Sequence, residues 1–120
     1  MKTIEQLTKQ LSSRALTDLT RLVNINSFSS NSAGLVRAGD LIQSIAQDNG
    51  LILDKCFFTD APDSPFHLTG DTTGNQPFIN IIGHFDTVHP PDSGFKTLED
   101  RGDTLTGPGV QDMKAGIIAA

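Results

Sequence analysis

The amino-acid sequence predicts a three-layer α/β/α fold built on a mixed, mostly parallel sheet. Three observations support this prediction: two amphipathic helical patterns come first, short apolar strands follow, and a last helix begins near Asp112. Helices and strands in this order are typical of layered α/β proteins. The chain has 120 residues, of which 37% are hydrophobic, and this is enough for one packed core.

Two helices are predicted in the first half of the chain. Apolar residues recur at three- and four-residue steps over residues 4–23, which places them on one face of a long helix. The polar residues 24–32 break this pattern. A second apolar stripe predicts a helix over residues 33–48, and Asn49-Gly50 is a typical C-terminal stop.

Short strands follow the two helices. The predicted strands are residues 51–58, 66–70 and 78–83, with a hairpin over residues 95–106 that turns at residues 100–103, and with loops at residues 60–65 and 71–77. The segment 78–83 is the most apolar of them. Such a run suits a central strand that is covered on both faces.

Composition and charge exclude several classes of function. The net charge is −5 and there is no basic cluster, which disfavours binding to nucleic acid or to an anionic membrane. The single cysteine, Cys56, excludes an internal disulfide and is predicted to be a buried apolar side chain in a strand. No segment is typical of a signal peptide or a membrane span. We therefore expect a cytoplasmic protein.

The first segment that carries chemistry is Gly-His-Phe-Asp-Thr-Val at residues 83–88. His84 follows the most apolar strand, at the sheet edge where α/β proteins bind ligands. Asp86 lies two residues further along, so on extended backbone it points to the same face as His84. A carboxylate in this position can accept the second N–H of a metal-binding imidazole. His-x-Asp alone is a common pattern, and a structural role for His84 stays open at this stage.

The second segment is Gly-Pro-Gly-Val-Gln-Asp-Met-Lys-Ala-Gly at residues 107–116. Gly107 and Gly109 allow a tight turn and a close approach of the backbone. Asp112 then has two alternative roles, as the N-cap of the last helix or as a carboxylate that bridges two metal ions. A phosphate-binding loop is disfavoured because Lys114 is followed by alanine and not by Ser or Thr.

Together the two segments resemble the di-zinc aminoacylase/carboxypeptidase superfamily. This group includes glutamate carboxypeptidases, acetylornithine deacetylase, succinyl-diaminopimelate desuccinylase and peptidase T. Residues 19–29, at the end of the first helix, are similar to the opening of these proteins, and Gly107-Pro108-Gly109 is most similar to the glutamate carboxypeptidase-like branch. The resemblance implies a zinc-dependent hydrolase that cleaves an amide bond of a small peptide or an N-acyl amino acid.

The resemblance also implies a role for each site residue. His84 binds one of two zinc ions, Asp112 bridges both ions, and Asp86 orients His84. The peptide bond after the bridging aspartate is commonly cis in the family, which here is Asp112–Met113. Cobalt or manganese would also suit a histidine with carboxylates.

The same resemblance implies that residues 1–120 are the N-terminal part of a catalytic domain, cut soon after the helix behind Asp112 begins. The sequence lacks the family's adjacent Glu pair, its later ligands and its second domain, which helps to bind substrate and forms a homodimer. Glu99-Asp100 precedes Asp112 and is expected to be a solvated turn. Two ligands do not complete a zinc site, so we expect no hydrolase activity from this chain alone. An unpaired sheet edge also predicts aggregation or a partner chain.

Three alternatives stay open. The first is a biosynthetic N-deacylase of the acetylornithine or succinyl-diaminopimelate type. The second is a binding or interaction module that keeps the fold without catalysis, and the third is an α/β nucleotide-binding domain. Of the other histidines, His67 is expected at the surface, and His89 is expected in a loop near the site.

Overall fold

The computed structural model describes residues 3–61, 64–72 and 79–120 of the chain. Its elements in chain order are α1 (Ile4–Val23), α2 (Ser32–Asp48), β1 (Asp54–Phe57), β2 (Phe66–Thr69), β3 (Glu99–Asp100), β4 (Leu105–Thr106) and α3 (Ala115–Ala119). Helices and strands are thus mixed in one small domain, which confirms the α/β class. None of the helices in these ranges has the length and the apolar content that a membrane span requires.

Helix α1 has the bounds that its apolar stripe predicts, but only its C-terminal half is buried. Thr3 and Gln6 form a capping box at its start. In the first half of the stripe Ile4 and Leu11 are exposed, whereas Leu22 in the last turn is fully buried. α1 is therefore attached to the rest of the molecule mainly by its last turns.

Helix α2 also agrees with its prediction, and it completes the core. Asn31 caps its first turn by accepting the N–H of Gly34, and Gly50 behind it has a φ of +84°. The central buried residues are Leu22, Ala38 and Ile42. The residues that pack around them are Ile25, Leu41, Leu53, Leu68, Phe85, Ile117 and Ile118. The core therefore joins α1, α2, β2 and α3, together with Leu53, which directly precedes β1.

The described strands form two antiparallel pairs. β1 pairs with β2, and β3 pairs with β4. The first two predicted strands are thus confirmed at slightly shorter lengths. The hairpin is confirmed as well, with Gly102 at a φ of +86° in its turn. Of the predicted loops, residues 62–63 and 73–77 lie outside the described residues.

The predicted central strand at residues 78–83 is wrong for residues 79–83, and residue 78 lies outside the described residues. Within the described ranges no strand pairs with this segment, and Ile79, Ile81 and Ile82 are 72–89% exposed. An apolar pattern shows that a segment needs cover, but a strand forms only beside a neighbour that supplies hydrogen bonds. The described ladders are accordingly antiparallel and not mostly parallel, apart from an isolated parallel bridge between Phe28 and Thr87.

The last helix begins later than the sequence predicts. Asp112 has φ −124° and ψ 91°, and Met113 has φ −136° and ψ 36°, so neither residue is helical. Residues Val110–Lys114 form an irregular turn, called here the Asp112 turn, and the regular helix α3 starts at Ala115. Gly109 introduces the turn with a φ of +76°, a conformation that favours glycine.

We expect Gly34→Ala to destabilise the domain, because Gly34 packs directly on the segment that follows α1. A Cβ at Gly34 would lie 1.8 Å from the carbonyl oxygen of Asn26, which is a backbone atom and cannot rotate away. The expected loss in the free energy of unfolding is about 1–3 kcal/mol or more. Gly94→Ala is the control, because a Cβ there meets nothing within 4 Å. Denaturant unfolding measures both variants, and equal stabilities would contradict this contact.

Candidate functional site

The segment after α1 holds one half of the site in place. We call residues 24–31 the exit segment and residues 83–89 the His84 segment. The carbonyl of Ser27 accepts the N–H of Thr87 at 2.8 Å, and the carbonyl of Thr87 accepts the N–H of Ser29 at 3.0 Å. These two bonds form the parallel bridge, so the end of α1 sets the position of the His84 segment.

Two side chains of the exit segment extend this contact. The hydroxyl of Ser27, which is fully buried, donates to the carbonyl of Phe85 at 2.6 Å. The side-chain amide of Asn26 donates to the carbonyl of His89 at 3.1 Å. The backbone on both sides of Asp86 is therefore hydrogen-bonded to the exit segment.

His84 lies between two carboxylates. Its Nδ1 is 3.1 Å from Oδ1 of Asp86, and its Nε2 is 3.0 Å from Oδ1 of Asp112. The other oxygen of Asp86, Oδ2, accepts the hydroxyl of Ser29 at 2.7 Å. A continuous row of side chains thus runs Ser29–Asp86–His84–Asp112. The structure brings together the three residues that the sequence selects, and it adds Ser29.

The row changes the proton affinity of its members. The hydrogen bond that His84 can donate to Asp112 raises the pKa of His84 above its ordinary value of 6.5, and Asp86 contributes further, although desolvation opposes both. The hydroxyl of Ser29 makes the largest contribution to lowering the pKa of Asp86 below its ordinary 3.8, and His84 adds to it. Asp86 is therefore a carboxylate near neutral pH and can accept the proton of Nδ1.

The same row has the donor chemistry of a metal site. When Asp86 holds the proton on Nδ1, the lone pair of Nε2 faces the oxygen of Asp112. Zinc binds imidazole nitrogen and carboxylate oxygen at about 2.0–2.2 Å, so two ligands in a tetrahedral site lie roughly 3.3 Å apart. The observed 3.0 Å between Nε2 and Oδ1 is close to this separation. Nowhere in the described ranges, this row included, do three or more His, Cys, Asp or Glu side chains form a group that could hold a metal.

Three members of the row, Asp86, His84 and Asp112, line a cleft that is open to solvent. The cleft has a volume of about 230 Å³, with the His84 segment on one side and residues 107–112 on the other. The side chain of His84 is 49% exposed and that of Asp112 is 86% exposed. An ion or a small ligand can therefore reach both groups.

The glycines of the second segment allow its close approach to the first. A Cβ at Gly107 would lie 2.7 Å from a methyl of Val23 at the end of α1, and a Cβ at Gly109 would lie 2.8 Å from the methyl of Thr87. These contacts place the Asp112 turn against the end of α1 and against the His84 segment. Both glycines therefore have the structural role that the sequence predicts.

Asp112 does not cap a helix. The residue before α3 is Lys114, and no side chain caps this helix, so the N-cap alternative is wrong. The carboxylate of Asp112 faces His84 instead. The Asp112–Met113 peptide bond is cis, which is the geometry that the family resemblance implies.

The other residues that the sequence selects lie beside the row or away from it. His67 is exposed on β2, as predicted, and Glu99 is exposed on β3. Cys56 lies in β1, but it is half-buried and not buried. His89 lines the cleft, with its ring edge-on against the ring of Phe95 at a centroid distance of 5.0 Å.

Sequence reasoning missed three polar side chains at the site. Ser29 lies in a polar stretch where no pattern distinguishes it from its neighbours. Thr87 is buried, and its hydroxyl has no hydrogen-bond partner among the described residues. Lys114 is fully buried, and the one available signal was a lysine inside an otherwise apolar helical start. No family model and no curated protein matches the chain, so the interpretation of the site depends on its own residues.

We expect Ser29→Ala to raise the pKa of Asp86 toward 3.8, because the hydroxyl is the main cause of the lowered pKa. A lowered pKa stabilises the fold above the ordinary pKa, and this contribution is lost as the pH falls through the lowered value. The variant should therefore be less stable than the wild type near neutral pH and equally stable in strong acid. Carboxyl NMR titration measures the pKa. The exposed neighbour Ser30 supplies the control, Ser30→Ala, and an unchanged Asp86 pKa in Ser29→Ala would contradict the bond.

We expect Thr87→Val to leave the free energy of unfolding unchanged or to raise it. A buried hydroxyl without a partner costs about 1–3 kcal/mol, and valine keeps the shape without the polar group. Thr20→Val is the comparison, because the hydroxyl of Thr20 donates to the carbonyl of Leu16 at 2.7 Å. Its loss should cost about 1 kcal/mol. Thermal unfolding measures both, and an equal loss in both variants would show that the hydroxyl of Thr87 has a partner.

Proposed function

We propose that His84 and Asp112 are two ligands of a zinc-dependent hydrolase centre that cleaves an amide bond of a small peptide or an N-acyl amino acid. The observation that carries this proposal is the row in which His84 lies between Asp86 and Asp112, with both ring nitrogens engaged. The proposal includes the three-layer α/β/α fold of the di-zinc aminoacylase/carboxypeptidase superfamily and its homodimer.

Asp86 is the orienting residue in this proposal. It accepts the proton of Nδ1, which leaves the lone pair on Nε2, the nitrogen that faces Asp112. A carboxylate behind a metal-binding imidazole fixes the tautomer and the ring orientation in this way. Ser29 supports the role, since its hydroxyl holds Asp86 by the second oxygen.

Asp112 has the exposure that a bridging ligand needs. One of its oxygens faces His84, and within the described ranges its other oxygen makes no hydrogen bond. Asp112 would therefore hold metal together with His84, through a carboxylate that is open to solvent. When bound, the metal supplies a Lewis acid that polarises the amide carbonyl and lowers the pKa of a water. The cleft beside His89 is then the place for the substrate.

Two ligands leave the site incomplete, because catalytic zinc sites use three protein ligands. Among the described residues no third side chain joins His84 and Asp112 to form a group that could hold a metal ion. We therefore propose that the 120-residue chain binds zinc weakly and does not hydrolyse amides by itself. The general base and the other ligands would come from residues outside this sequence.

The metal site is tested by measuring zinc binding to the purified chain with calorimetry. Cobalt serves as a spectroscopic substitute for zinc. We expect weak binding that is lost in His84→Ala and in Asp112→Asn. His67→Ala is the control, because His67 is exposed on β2 away from the cleft. Binding should weaken as the pH falls through the raised pKa of His84, since only the neutral imidazole binds metal. No binding by the wild type, or full binding by His84→Ala, would contradict the proposal.

The test of incompleteness is activity. The purified chain, loaded with zinc, should not release amino acids from N-acyl amino acids or from dipeptides above the rate of the Asp112→Asn variant. Zinc-dependent turnover by the wild-type chain would show that the described ligands suffice, and the proposed need for further residues would then be wrong.

A further inference from the structure

Lys114 is a buried cation with an unusual set of partners. Its side chain is fully buried, and its Nζ donates to the carbonyl of Leu22 at 3.1 Å and to the carbonyl of Ile25 at 3.2 Å. No carboxylate of the described residues pairs with it. A buried charge without an opposite charge is expensive, so this arrangement needs a compensating interaction.

The end of α1 provides that compensation. The last carbonyls of a helix have no partner within the helix, and the C-terminal end of a helix carries a partial negative charge. Leu22 lies in the last turn of α1, and Ile25 lies just beyond it. The ammonium therefore donates to two carbonyls at the negative end of the helix, and it shares the carbonyl of Leu22 with the backbone N–H of Ile25, which lies 3.3 Å away. Burial still lowers the pKa of Lys114 to about 8.

This contact has a second consequence, because Lys114 follows Asp112 by only two residues. The N–H of Lys114 donates to the carbonyl of Gly109 at 2.8 Å and closes the Asp112 turn. The Nζ then ties the closed turn to the end of α1. The exit segment, which begins at the same place, holds Asp86 through Ser29. Asp112 and Asp86, at either side of His84, are thus both held by the short stretch of backbone at the end of α1 and in the exit segment.

We propose that Lys114 is a positioning residue, whose ammonium fixes the Asp112 turn to the end of α1 and thereby sets the approach of Asp112 to His84. Where the inference is tested by zinc affinity, it rests on the proposed function. Lys114 does not line the cleft and is fully buried, so it touches neither ion nor substrate. It acts through the backbone of the Asp112 turn.

The first test is zinc binding by Lys114→Met, which keeps the apolar length of the side chain and removes its three donors. We expect the affinity to fall about 10- to 100-fold, as for other residues that support metal ligands from outside the ligand set. Ile42→Val is the matched control, because it removes one methylene from a buried residue of α2 and weakens the core without touching Lys114. It should keep wild-type affinity.

Two further variants keep the test decisive. If Lys114→Met does not fold, Lys114→Gln replaces it, since the amide can still donate to one carbonyl. Lys114→Arg retains the charge and the donors, and it should recover most of the affinity. Loss in the neutral variants with recovery in Lys114→Arg supports positioning. Wild-type affinity in a folded neutral variant, or an equal loss in Ile42→Val, would overturn it.

A metal-free measurement separates this inference from the proposed function. In the neutral variant, hydrogen exchange of the amide at position 114 should accelerate at least about tenfold, because the Asp112 turn loses its anchor. The amide of Thr87, bonded to Ser27, should keep its protection. Equal protection at position 114 in variant and wild type would overturn the positioning role. A wild-type chain that binds no zinc, with the accelerated exchange still seen, would overturn only the proposed function.

Discussion

The C-terminal end of α1 is the constraint on which the site depends. The exit segment forms the parallel bridge to the His84 segment. The carbonyls of Leu22 and Ile25 accept hydrogen bonds from the Nζ of Lys114, which lies in the Asp112 turn. Three parts of the chain that lie far apart in sequence are therefore held at one place. Each of these bonds involves groups that are partly or fully buried, and a buried group without its partner costs about 1–3 kcal/mol. The bonds consequently support one another, and losing one weakens the whole junction.

The row Asp86–His84–Asp112 contributes differently, because it is largely exposed. The side chain of Asp112 is 86% exposed, so solvent screens its attraction to His84 and the pair adds little to stability. The row instead sets the order of three side chains, with the imidazole of His84 between the carboxylates of Asp86 and Asp112. One ring nitrogen of His84 faces Asp86 and the other faces Asp112, each within hydrogen-bond distance. The buried contacts at the end of α1 therefore hold the segments in place, and the exposed row brings His84 and the two carboxylates together.

The sequence predicts what local patterns determine and misses what distant contacts determine. α1, α2 and the hairpin follow from apolar periodicity and turn residues, and all three are present. The closeness of His84 and Asp86 follows from their spacing on extended backbone. No local pattern gives the contact between His84 and Asp112, which the family resemblance alone suggested. Lys114 was missed because its partners are backbone carbonyls about ninety positions earlier, and carbonyls leave no mark in a sequence.

The wrong prediction at residues 79–83 bears on how firmly His84 is held. On its C-terminal side His84 is anchored by the bridge at Thr87. On its other side the isoleucines of residues 79–82 are exposed and no described strand pairs with them. A Cβ at Gly83 would lie 3.1 Å from the side chain of Met113, so Gly83 packs closely against the Asp112 turn. His84 is thus positioned by the exit segment and by the turn that Lys114 anchors, and this makes Lys114 more important to the site than its distance from the cleft suggests.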